Sequence, residues 1–397
     1  MVAAPDQSAD APHVFLVAGE ESGDRLGAAL IGALRARTQG HVRISGVGGT
    51  HMAEAGVPSP FPLGDLAIVG FSSIPSKLPI ILKRIREAAD AVVAARPDVL
   101  VIIDSPDFTH RVAKRVRKAL PGIRIVDYVC PSVWAWRPWR ARSMKAYVDR
   151  VLTLLPFEPA ELDRLGGPPG TYVGHPLIER VDELRPNPQE AQRRLADPPI
   201  LLVMPGSRGG EIRRMAGVFG AAVGEAAKRV GALEVVVPAV PRLADTVRAA
   251  VRSWPVPARI VTDPAEKLAA FRSARAALTK SGTSTLELAL AGIPMVAAYK
   301  VSLLEAGVGK LMIRVPSVIL ANLILGEAAV PELLQFDCTP ARLAAALVPL
   351  LSDTPERQRQ VAALARLDAV MGIGGEAPSA RAAAAVLDML AGVRRSP

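Results

Sequence analysis

Several features that mark common classes of protein are scarce or missing in these 397 residues. Only two cysteines occur, Cys130 and Cys338, and their spacing is not that of a metal site. We therefore expect no structural disulfide and infer a reducing cytoplasm. No apolar run approaches the length of a membrane span, although 50% of the residues are hydrophobic. The opening MVAAPDQSADAPH lacks a basic region followed by an apolar one, so no secretory signal is expected.

Common nucleotide and metal signatures are missing as well. Neither a Walker A pattern nor the G-x-G-x-x-G spacing of a dinucleotide fingerprint occurs. Asp104 and Asp107 are candidate metal ligands, but no convincing cluster of histidine or carboxylate joins them. We therefore expect metal-independent chemistry without a cofactor. Zinc-finger spacing, an RNP-like motif and a long basic tract are also absent, so nucleic acid is not an expected partner.

What the sequence does have is an excess of positive charge. The formal net charge is +10 and the sequence pI is near 10.0. This balance predicts an anionic partner, and both nucleotide diphosphates and anionic lipid head groups meet that description. A general bias toward arginine is the alternative explanation for part of the excess.

Short apolar runs alternate with helical patterns along the chain. In the first half the candidate strands are HVFLVAG, VRISGVG, DVLVIID, IRIVDYV and RVLTLLP, with helices such as GDRLGAALIGALRAR between them. A second series consists of ILLVMPG, LEVVVPA, ARIVTD, AALTKSG and PMVAAYK. This alternation predicts α/β architecture with doubly wound parallel sheets, and the length allows two cores. We expect two Rossmann-type domains whose parallel sheets face a central cleft.

Composition suggests where the domains begin and end. Residues 1–177 form the predicted N-terminal domain, and the proline-rich, polar stretch around RPNPQEAQRRLADPP makes 178–198 the predicted linker. Residues 199–365 form the second domain. The last segment, 366–397, is expected to be helical, and its packing on either domain remains open. Ligands of such folds bind at the carboxyl ends of the strands.

A glycine-rich turn follows the first strand of the second series. In ILLVMPGSRGGE, the residues Gly206, Ser207 and Arg208 occupy the turn before a helix. Glycines let backbone amides approach a phosphate, and an arginine offers a charged fork. The alternative is an ordinary turn with a surface arginine.

A second turn of the same kind strengthens the first. LTKSGTSTLE places Ser281, Gly282 and Thr283 after another strand. Ser284 and Glu287 have the spacing of a capping box, which is the structural interpretation of that pair. The functional interpretation is that residues 281–283 bind a diphosphate while Glu287 binds ribose hydroxyls. Two such turns predict a site for a nucleoside diphosphate.

An acidic residue ends a buried strand of the first series. In DVLVIIDSPDF the strand runs to Asp104, at an edge where a carboxylate can act as a general base. The alternative is that Asp104 or Ser105 caps the following helix. The predicted cleft and the nucleotide site across it favour catalysis.

Two segments combine apolar and cationic side chains. Residues 66–87, LAIVGFSSIPSKLPIILKRIRE, suit a membrane interface through Phe71, Leu78, Ile81, Lys83 and Arg84, among others. An ordinary core helix with a solvated face is the alternative. PSVWAWRPWRARSMKAY gathers three of the four tryptophans beside arginines, a composition that suits a sugar, a phosphate or a lipid, while at least one tryptophan is expected to pack in the core.

Eight motifs occur in order along the chain: AGEESGD, IIDSPDF, PSVWAWR, LPFE, VGHP, PGSRGGE, SGTSTLE and PELLQ. Together they closely resemble the lipid-A-disaccharide synthases, inverting glycosyltransferases of the two-Rossmann-domain GT-B class. The resemblance runs from about Val14 to the C-terminal helical segment. PSVWAWR together with PGSRG-x-E and SGT-x-x-LE makes it highly specific.

The resemblance implies a reaction and a location. The donor would be UDP-2,3-diacylglucosamine, and the acceptor would be 2,3-diacylglucosamine 1-phosphate, also called lipid X. The products would be UDP and a β-1,6-linked tetraacyl disaccharide 1-phosphate. The enzyme would act as a peripheral protein at the anionic surface of the inner membrane, on its cytoplasmic face, and a homodimer is compatible with the family.

The resemblance also implies roles for particular residues. Asp104 would be the general base, and Glu20 would orient acceptor hydroxyls or support Asp104. The implied acceptor-binding residues are Ser22, Gly23, Asp24, Ser132 and Trp134. The implied donor-binding residues are Gly206, Ser207, Arg208, Ser281, Gly282, Thr283, Glu287, Asn322 and Gln335. Arg208 and the amides of 281–283 would stabilise the departing diphosphate.

Five residues have weaker or open assignments. Asp24 is alternatively a favourable acid in the first turn of a helix. Asn322 follows Ala321, where the family commonly has proline. Glu21 stands where a small residue is expected, and its role stays open. We interpret His110 as a surface residue of a helix, and His175 of VGHP as an interdomain structural contact.

Three rival functions remain on sequence grounds. The first is another enzyme on this scaffold, such as a UDP-N-acetylglucosamine 2-epimerase or a transferase with a soluble acceptor. A soluble sugar, however, requires no apolar segment like 66–87. The second is a noncatalytic UDP-sugar or lipid-binding protein, against which Asp104, Glu20 and Arg208 in their motifs argue. The third is a nucleic-acid binder, whose oligonucleotide affinity would have to survive physiological salt.

Overall fold

The structure is a computed structural model that describes residues 11–66, 74–301 and 315–393. The chain divides into two compact units, which are described separately. The first unit comprises residues 1–176 and 375–397, and the second comprises residues 177–374.

The first unit is built on a six-stranded parallel sheet. Its strands are β1 (His13–Ala18), β2 (Arg43–Val47), β3 (Val99–Ile103), β4 (Arg124–Tyr128), β5 (Arg150–Thr153) and β6 (Gly170–Tyr172). They lie in the order β2-β1-β3-β4-β5-β6. The order reverses between β1 and β3, and the carboxyl ends of two such neighbours form the crevice where open α/β sheets bind ligands.

Helices cover both faces of this sheet. They are α1 (Glu21–Arg37), α2 (Thr50–Glu54), α3 (Ile74–Ala95), α4 (Pro106–Ala119), α5 (Trp139–Met144), α6 (Glu158–Arg164) and α17 (Pro378–Val393), with a 3₁₀ turn at Leu63–Leu66. Alternate residues of β1 enter different cores, as expected for a strand buried on both faces: Phe15 packs with α3 and α4, whereas Leu16 packs with α1 and α17.

The second unit has a parallel sheet of the same size but another strand order. Its strands are β7 (Ile200–Met204), β8 (Glu234–Pro238), β9 (Ala258–Val261), β10 (Ala276–Lys280), β11 (Met295–Tyr299) and β12 (Glu332–Leu334). They lie in the order β12-β11-β10-β7-β8-β9. Here the order reverses between β7 and β10, which pair with Met204 opposite Thr279.

The helices of the second unit complete its two layers. They are α7 (Val181–Leu184), α8 (Pro188–Leu195), α9 (Gly209–Val230), α10 (Ala244–Val251), α11 (Pro264–Ser273), α12 (Ser284–Leu290), α13 (Leu320–Leu325), α14 (Pro340–Leu351), α15 (Pro355–Ala365) and α16 (Leu367–Met371). Short 3₁₀ turns lie at Pro176–Arg180, Pro241–Leu243 and Gln335–Asp337. The long amphipathic α9 packs its apolar side, including Phe219, against the sheet and α14.

The sequence-based fold class is confirmed, and the structure adds detail. All ten predicted strands are present, and β6 and β12 are additional. Residues 178–198, interpreted as a linker, contain α7 and α8 and fall in the second unit. The Asn187 side chain and Glu190 form a full capping box at the start of α8. The C-terminal helix α17 falls in the first unit, where it packs against α1.

Candidate active site

The turn after β3 holds Asp104 in a strained backbone conformation. Asp104 and Ser105 have φ values of 53° and 46°, in the left-handed region, which costs a residue with a Cβ roughly 1–2 kcal/mol. Neighbouring groups fix the turn: the Asp104 amide donates to the Tyr128 carbonyl, and the Thr109 hydroxyl donates to the Asp104 carbonyl. Ser105 precedes α4 but makes no side-chain cap, so the capping alternative for this turn is not realised.

The first loop of the chain meets that turn where the strand order reverses. The Ser22 hydroxyl donates to Oδ2 of Asp104 at 2.8 Å, and the Ser105 amide donates to Oδ1 at 2.7 Å. Partial burial, followed by the negative charge of Asp104 and a hydrogen bond with it, raises the pKa of Glu20, although Ser22 opposes the shift. Glu20 and Asp104 therefore form a close pair of carboxyl groups, in which the charge of Asp104 favours the protonated form of Glu20.

Two glycines allow this close approach. A Cβ on Gly19 would lie 2.5 Å from the Ser105 Cβ, and one on Gly23 would lie 3.0 Å from the Ile103 carbonyl oxygen. Any larger residue at Gly19 would push the two turns apart. Gly19 and Gly23 of AGEESGD are therefore required for close packing of the two turns. This structural role explains why a glycine-rich turn here need not bind phosphate.

A cavity of about 190 Å³ opens beside Asp104. Its lining includes Asp104, Val129, Ser132, Trp136, Arg137 and Arg140. The Arg137 guanidinium stacks on the Trp136 ring at 4.1 Å from the centroid. The lining combines a carboxylate, a hydroxyl, cations and an aromatic ring, a set that suits a sugar carrying a phosphate.

Trp134 is not among the residues that line this cavity, although Ser132 and Trp136 of the same motif are. The Trp134 indole N–H donates to Glu158 at 3.0 Å, and its ring meets Phe157 edge-on at 5.0 Å. The other Glu158 oxygen accepts from the amides of Leu154 and Leu155. Burial raises the pKa of Glu158 to about 7 against these hydrogen bonds. PSVWAWR and LPFE are therefore joined by a buried carboxyl group.

The Asp24 side chain has a structural role in the first unit. Its side chain is buried and accepts from the backbone amides of Gly49, His51 and Met52 at 2.7, 2.9 and 3.1 Å. These amides belong to the start of α2, whose donors have no partners within the helix. The carboxylate of Asp24 therefore caps α2 rather than standing free for an acceptor.

The prediction that His110 lies on the surface is wrong. His110 is 3% exposed, and its Nδ1 lies 3.1 Å from the Tyr147 hydroxyl. Its Nε2 lies 3.0 Å from Oδ2 of the equally buried Asp127. The sequence misled because α4 is strongly cationic, whereas the one face that bears His110 points into the core.

In the apolar and cationic segment 66–87, only some of the described side chains are available for contact with a membrane. Phe71 lies outside the described residues. Leu78 is 45% exposed, and Lys83 is exposed as well. Ile81 packs against the core, and Arg84 forms ion pairs with Asp65 and Glu87 while stacking on Phe61. Ile81 and Arg84 are therefore engaged within the first unit.

In the second unit, the turn after β7 is closed by Glu211. The Ser207 amide donates to Oε2 of Glu211 at 3.0 Å. Gly206 has a φ of 135°, and a Cβ there would lie 2.5 Å from the Glu211 Cβ. Arg208 precedes α9, and its guanidinium lies 3.8 Å from the Glu211 carboxylate. Its side chain is 83% exposed, so most of the guanidinium faces solvent.

The turn after β10 differs from the predicted amide cradle. The Ser281 amide is already bonded to the Ala298 carbonyl, and the Ser281 hydroxyl lies 3.4 Å from the Val318 carbonyl. Gly282 is half-buried, and Thr283 is exposed. α12 begins at Ser284 and Thr283 makes no side-chain cap, so the capping box of the structural interpretation does not form.

Glu287 faces a small cavity of about 120 Å³. The lining includes Leu177, Arg180, Lys267, Leu268, Phe271 and Glu287. The Lys267 ammonium lies 3.9 Å from the Glu287 carboxylate and 5.4 Å from the centre of the Phe271 ring. Apolar walls with a carboxylate at one side suit a nucleoside, whose base is flat and whose ribose carries hydroxyls.

Asn322 and Gln335 are engaged by the backbone. Asn322 is 3% exposed, exchanges hydrogen bonds with both backbone groups of Val330, and donates to Glu332. Gln335 accepts from the Val301 amide at 2.8 Å and has a φ of 51°. The Gln335 amide therefore joins the segments that follow β11 and β12, whereas the Asn322 amide joins α13 to the segment that leads into β12.

Sequence reasoning missed two charged residues of this unit. Glu211 lies in PGSRGGE, and Lys280 lies in both AALTKSG and LTKSGTSTLE, but neither residue was assigned a role. The Lys280 ammonium donates to Oε1 of Glu211 at 3.2 Å. The available signal was a charged residue at the very end of an otherwise apolar strand.

The described residues contain neither a cluster of metal ligands nor a helix suited to span a membrane. Across residues 11–66, 74–301 and 315–393, no group of three His, Cys, Asp or Glu side chains could hold a metal ion. Over the same described ranges, no helix is long and apolar enough to cross a membrane.

Comparison with known proteins decides the family. The family model of lipid-A-disaccharide synthetases matches residues 14–384. This chain belongs to that family. Lipid-A-disaccharide synthases of Nitrobacter hamburgensis and Rhodopseudomonas palustris are 58% and 57% identical to it over 378 residues, which is 95% of this chain and 96% of each relative. The chain is therefore a glycosyltransferase of lipid A biosynthesis.

Solved structures agree on the fold. MurG of Acinetobacter baumannii superposes with a TM-score of 0.56 at 16% identity, covering 96% of this chain and 99% of that one. A UDP-GlcNAc 2-epimerase of Neisseria meningitidis gives 0.57 at 12% identity, covering 96% and 100%. At such identities the likeness establishes the two-domain GT-B fold and leaves chemistry to the site.

Proposed function

We propose that this glycosyltransferase joins the 2,3-diacylglucosamine of its UDP donor to lipid X, with Asp104 as the general base. The observation that supports this most directly is the close pair of Asp104 and Glu20 beside a polar and aromatic cavity. Family membership limits the reaction to lipid A disaccharide synthesis.

The proposed step is a single displacement with inversion. The acceptor 6-hydroxyl oxygen attacks the anomeric carbon of the donor while its proton passes to Asp104. The bond from that carbon to the diphosphate breaks, and its electron pair leaves on UDP. Hydrogen bonds from Ser22 and the Ser105 amide hold the carboxylate in place, which is the preorganisation that general-base catalysis needs.

We propose that the second unit binds the donor. The exposed Arg208 would form a two-point contact with the diphosphate, and its positive charge would stabilise the departing oxygen. Glu287 would accept from the ribose hydroxyls at the edge of the small cavity with Phe271. Lys267, 3.9 Å from Glu287, keeps that carboxylate paired until the nucleoside arrives.

We propose that the enzyme works at the cytoplasmic face of the inner membrane, because its substrates carry acyl chains. The exposed Leu78 and Ile80 of α3 and the exposed Trp136 and Trp139 supply apolar contact in the first unit. Aromatic rings with neighbouring cations suit the head-group region of a bilayer.

The test is a thin-layer chromatography assay with purified protein in detergent micelles. UDP-2,3-diacylglucosamine and radiolabelled lipid X are mixed with the enzyme in the presence of EDTA. We expect a disaccharide 1-phosphate and one UDP per product, and NMR should report a β linkage. Omitting either substrate is the control. Folded protein that binds UDP but forms no disaccharide would contradict the proposed reaction, and loss of product with EDTA would contradict metal independence.

A further inference from the structure

A buried ion pair joins the two turns of the second unit at the point where the strand order reverses. Lys280 is the last residue of β10, and Glu211 lies in the first turn of α9, which follows the neighbouring strand β7. The Lys280 ammonium donates to Oε1 of Glu211 at 3.2 Å, and the two side chains are 18% and 5% exposed. The pair therefore lies between the two proposed donor-binding turns.

Glu211 is ionised and built into its turn. Burial alone would raise the pKa of Glu211, but the charge and hydrogen bond of Lys280, the Ser207 amide and the charge of Arg208 together hold it below its ordinary value. The Glu211 side chain lies against the turn that precedes α9, so there is no room for a Cβ at Gly206. A fixed carboxylate in this position would repel a diphosphate unless a cation neutralised it.

Lys280 is the nearer of the two cations beside Glu211, at 3.2 Å compared with 3.8 Å for Arg208. An ammonium has three N–H groups, and one of them is directed to Glu211. The nitrogen lies only 3.0 Å from the position that a Cβ on Gly282 would occupy, so it reaches over the open backbone of the second turn. The ring of Tyr299 flanks it, 5.1 Å from the nitrogen.

We propose that Lys280 binds the diphosphate of the donor, with Glu211 holding its ammonium between the two turns. This inference rests on the proposed donor site. As the bond from the anomeric carbon breaks, the electron pair goes to a diphosphate oxygen, and Lys280 and Arg208 stabilise the new charge from the two turns. Lys280 acts through its positive charge, and the proposed step transfers no proton at this site.

The test measures UDP and uridine binding to the full-length protein by calorimetry. Because uridine lacks the diphosphate, Lys280→Met should weaken UDP binding about ten- to a hundredfold and leave uridine binding within about twofold. Lys280→Arg should recover part of the UDP affinity. Lys228→Met, which removes an exposed lysine paired with Glu225 on α9, is the matched control and should bind UDP like the wild type.

A double variant separates binding from folding. Lys280→Met alone leaves Glu211 buried without its partner, which destabilises the protein. Lys280→Met combined with Glu211→Gln removes both charges and should restore the melting temperature while UDP affinity stays low. Recovery of UDP affinity in the double variant would show that Lys280 only neutralises Glu211, and would overturn the inference.

The control measurement distinguishes the two proposals. Wild-type protein that binds neither UDP nor uridine would overturn the donor site itself, and the inference with it. Wild-type protein that binds UDP, together with a Lys280→Met variant that binds it equally well, would overturn only the role of Lys280.

Discussion

The two units bring turns together at the same topological place and equip them for opposite chemistry. In the first, the turns after β1 and β3 present Glu20, Ser22 and Asp104. In the second, those after β7 and β10 present Arg208 and Lys280 around the paired Glu211. Strand order determines where a ligand binds in such sheets, and the residues of the turns determine which ligand it is.

The two units also differ in which residues of these turns have positive φ. The turn after β3 reaches positive φ with residues that have side chains, Asp104 and Ser105. The turns of the second unit reach it with glycines, Gly206 and Gly282. A strained aspartate presents its carboxylate at a fixed place, whereas glycines leave the backbone accessible to a bulky anion. The comparison predicts that the first unit controls chemistry and the second controls donor affinity.

The largest expected effect tests the first half of that comparison. Asp104→Asn keeps the size of the side chain but removes the base, so kcat should fall about 10²- to 10⁴-fold while UDP affinity stays at the wild-type value. The measurements are disaccharide formation and calorimetric UDP titration. Asp107→Asn, which alters an exposed ion pair with Arg140, is the matched control and should stay within about fivefold. Turnover by Asp104→Asn near the wild-type rate would remove the proposed base.

The second-largest expected effect tests whether the second unit controls use of the donor. Arg208→Ala should lower kcat/KM for the donor about a hundredfold, because the departing diphosphate loses a charged contact, while the KM for lipid X is unchanged. Arg208→Lys keeps the charge without the fork and should lie between the two. The side chain is 83% exposed, so the melting temperature should not move. Arg248→Ala, on α10, serves as the control. Wild-type donor kinetics in Arg208→Ala would contradict the role.

The smallest expected effect is on the pH dependence of the reaction rate. Since the pKa of Glu20 is raised, it takes up a proton at higher pH than an ordinary glutamate, and the protonated carboxyl then engages Asp104. The wild-type rate should therefore fall as the pH drops through that raised pKa. Glu20→Gln cannot titrate, so its profile should lose this acid limb and run about tenfold below the wild-type optimum. An unchanged acid limb would contradict the coupling, and Glu21→Gln should leave the profile intact.

The general fold was predictable because its signals are local. Apolar runs identified ten strands, and their alternation with helical patterns indicated parallel sheets. The strands β6 and β12 escaped because each has three half-buried residues and no apolar run. The helices α7 and α8 escaped because their proline-rich, polar sequence resembles a linker, whereas caps and packing against α11 hold them in place.

The site was predictable only in part, since motifs give residues without their partners. The motifs IIDSPDF and AGEESGD indicated Asp104 and Glu20 as candidates. They did not show that Ser22 would donate a hydrogen bond to Asp104. Asp24 lies in AGEESGD, and Asn322 was assigned through the resemblance. Their side chains instead bond to the backbone of Gly49 and Val330, which no motif indicated. Lys280 and Glu211 are 69 residues apart, so no local pattern could pair them.

The return of the chain to its first unit affects synthesis. Helix α17 follows the whole second unit in the chain, yet it contributes Ala382, Ala383 and Val386 to the core beneath α1. Arg37 of α1 also contacts Glu376 and the Ala380 carbonyl. On the ribosome, the whole second unit emerges before this helix does. The core of the first unit is therefore completed only after the second unit has been made, and the nascent first unit exposes an apolar surface until α17 emerges.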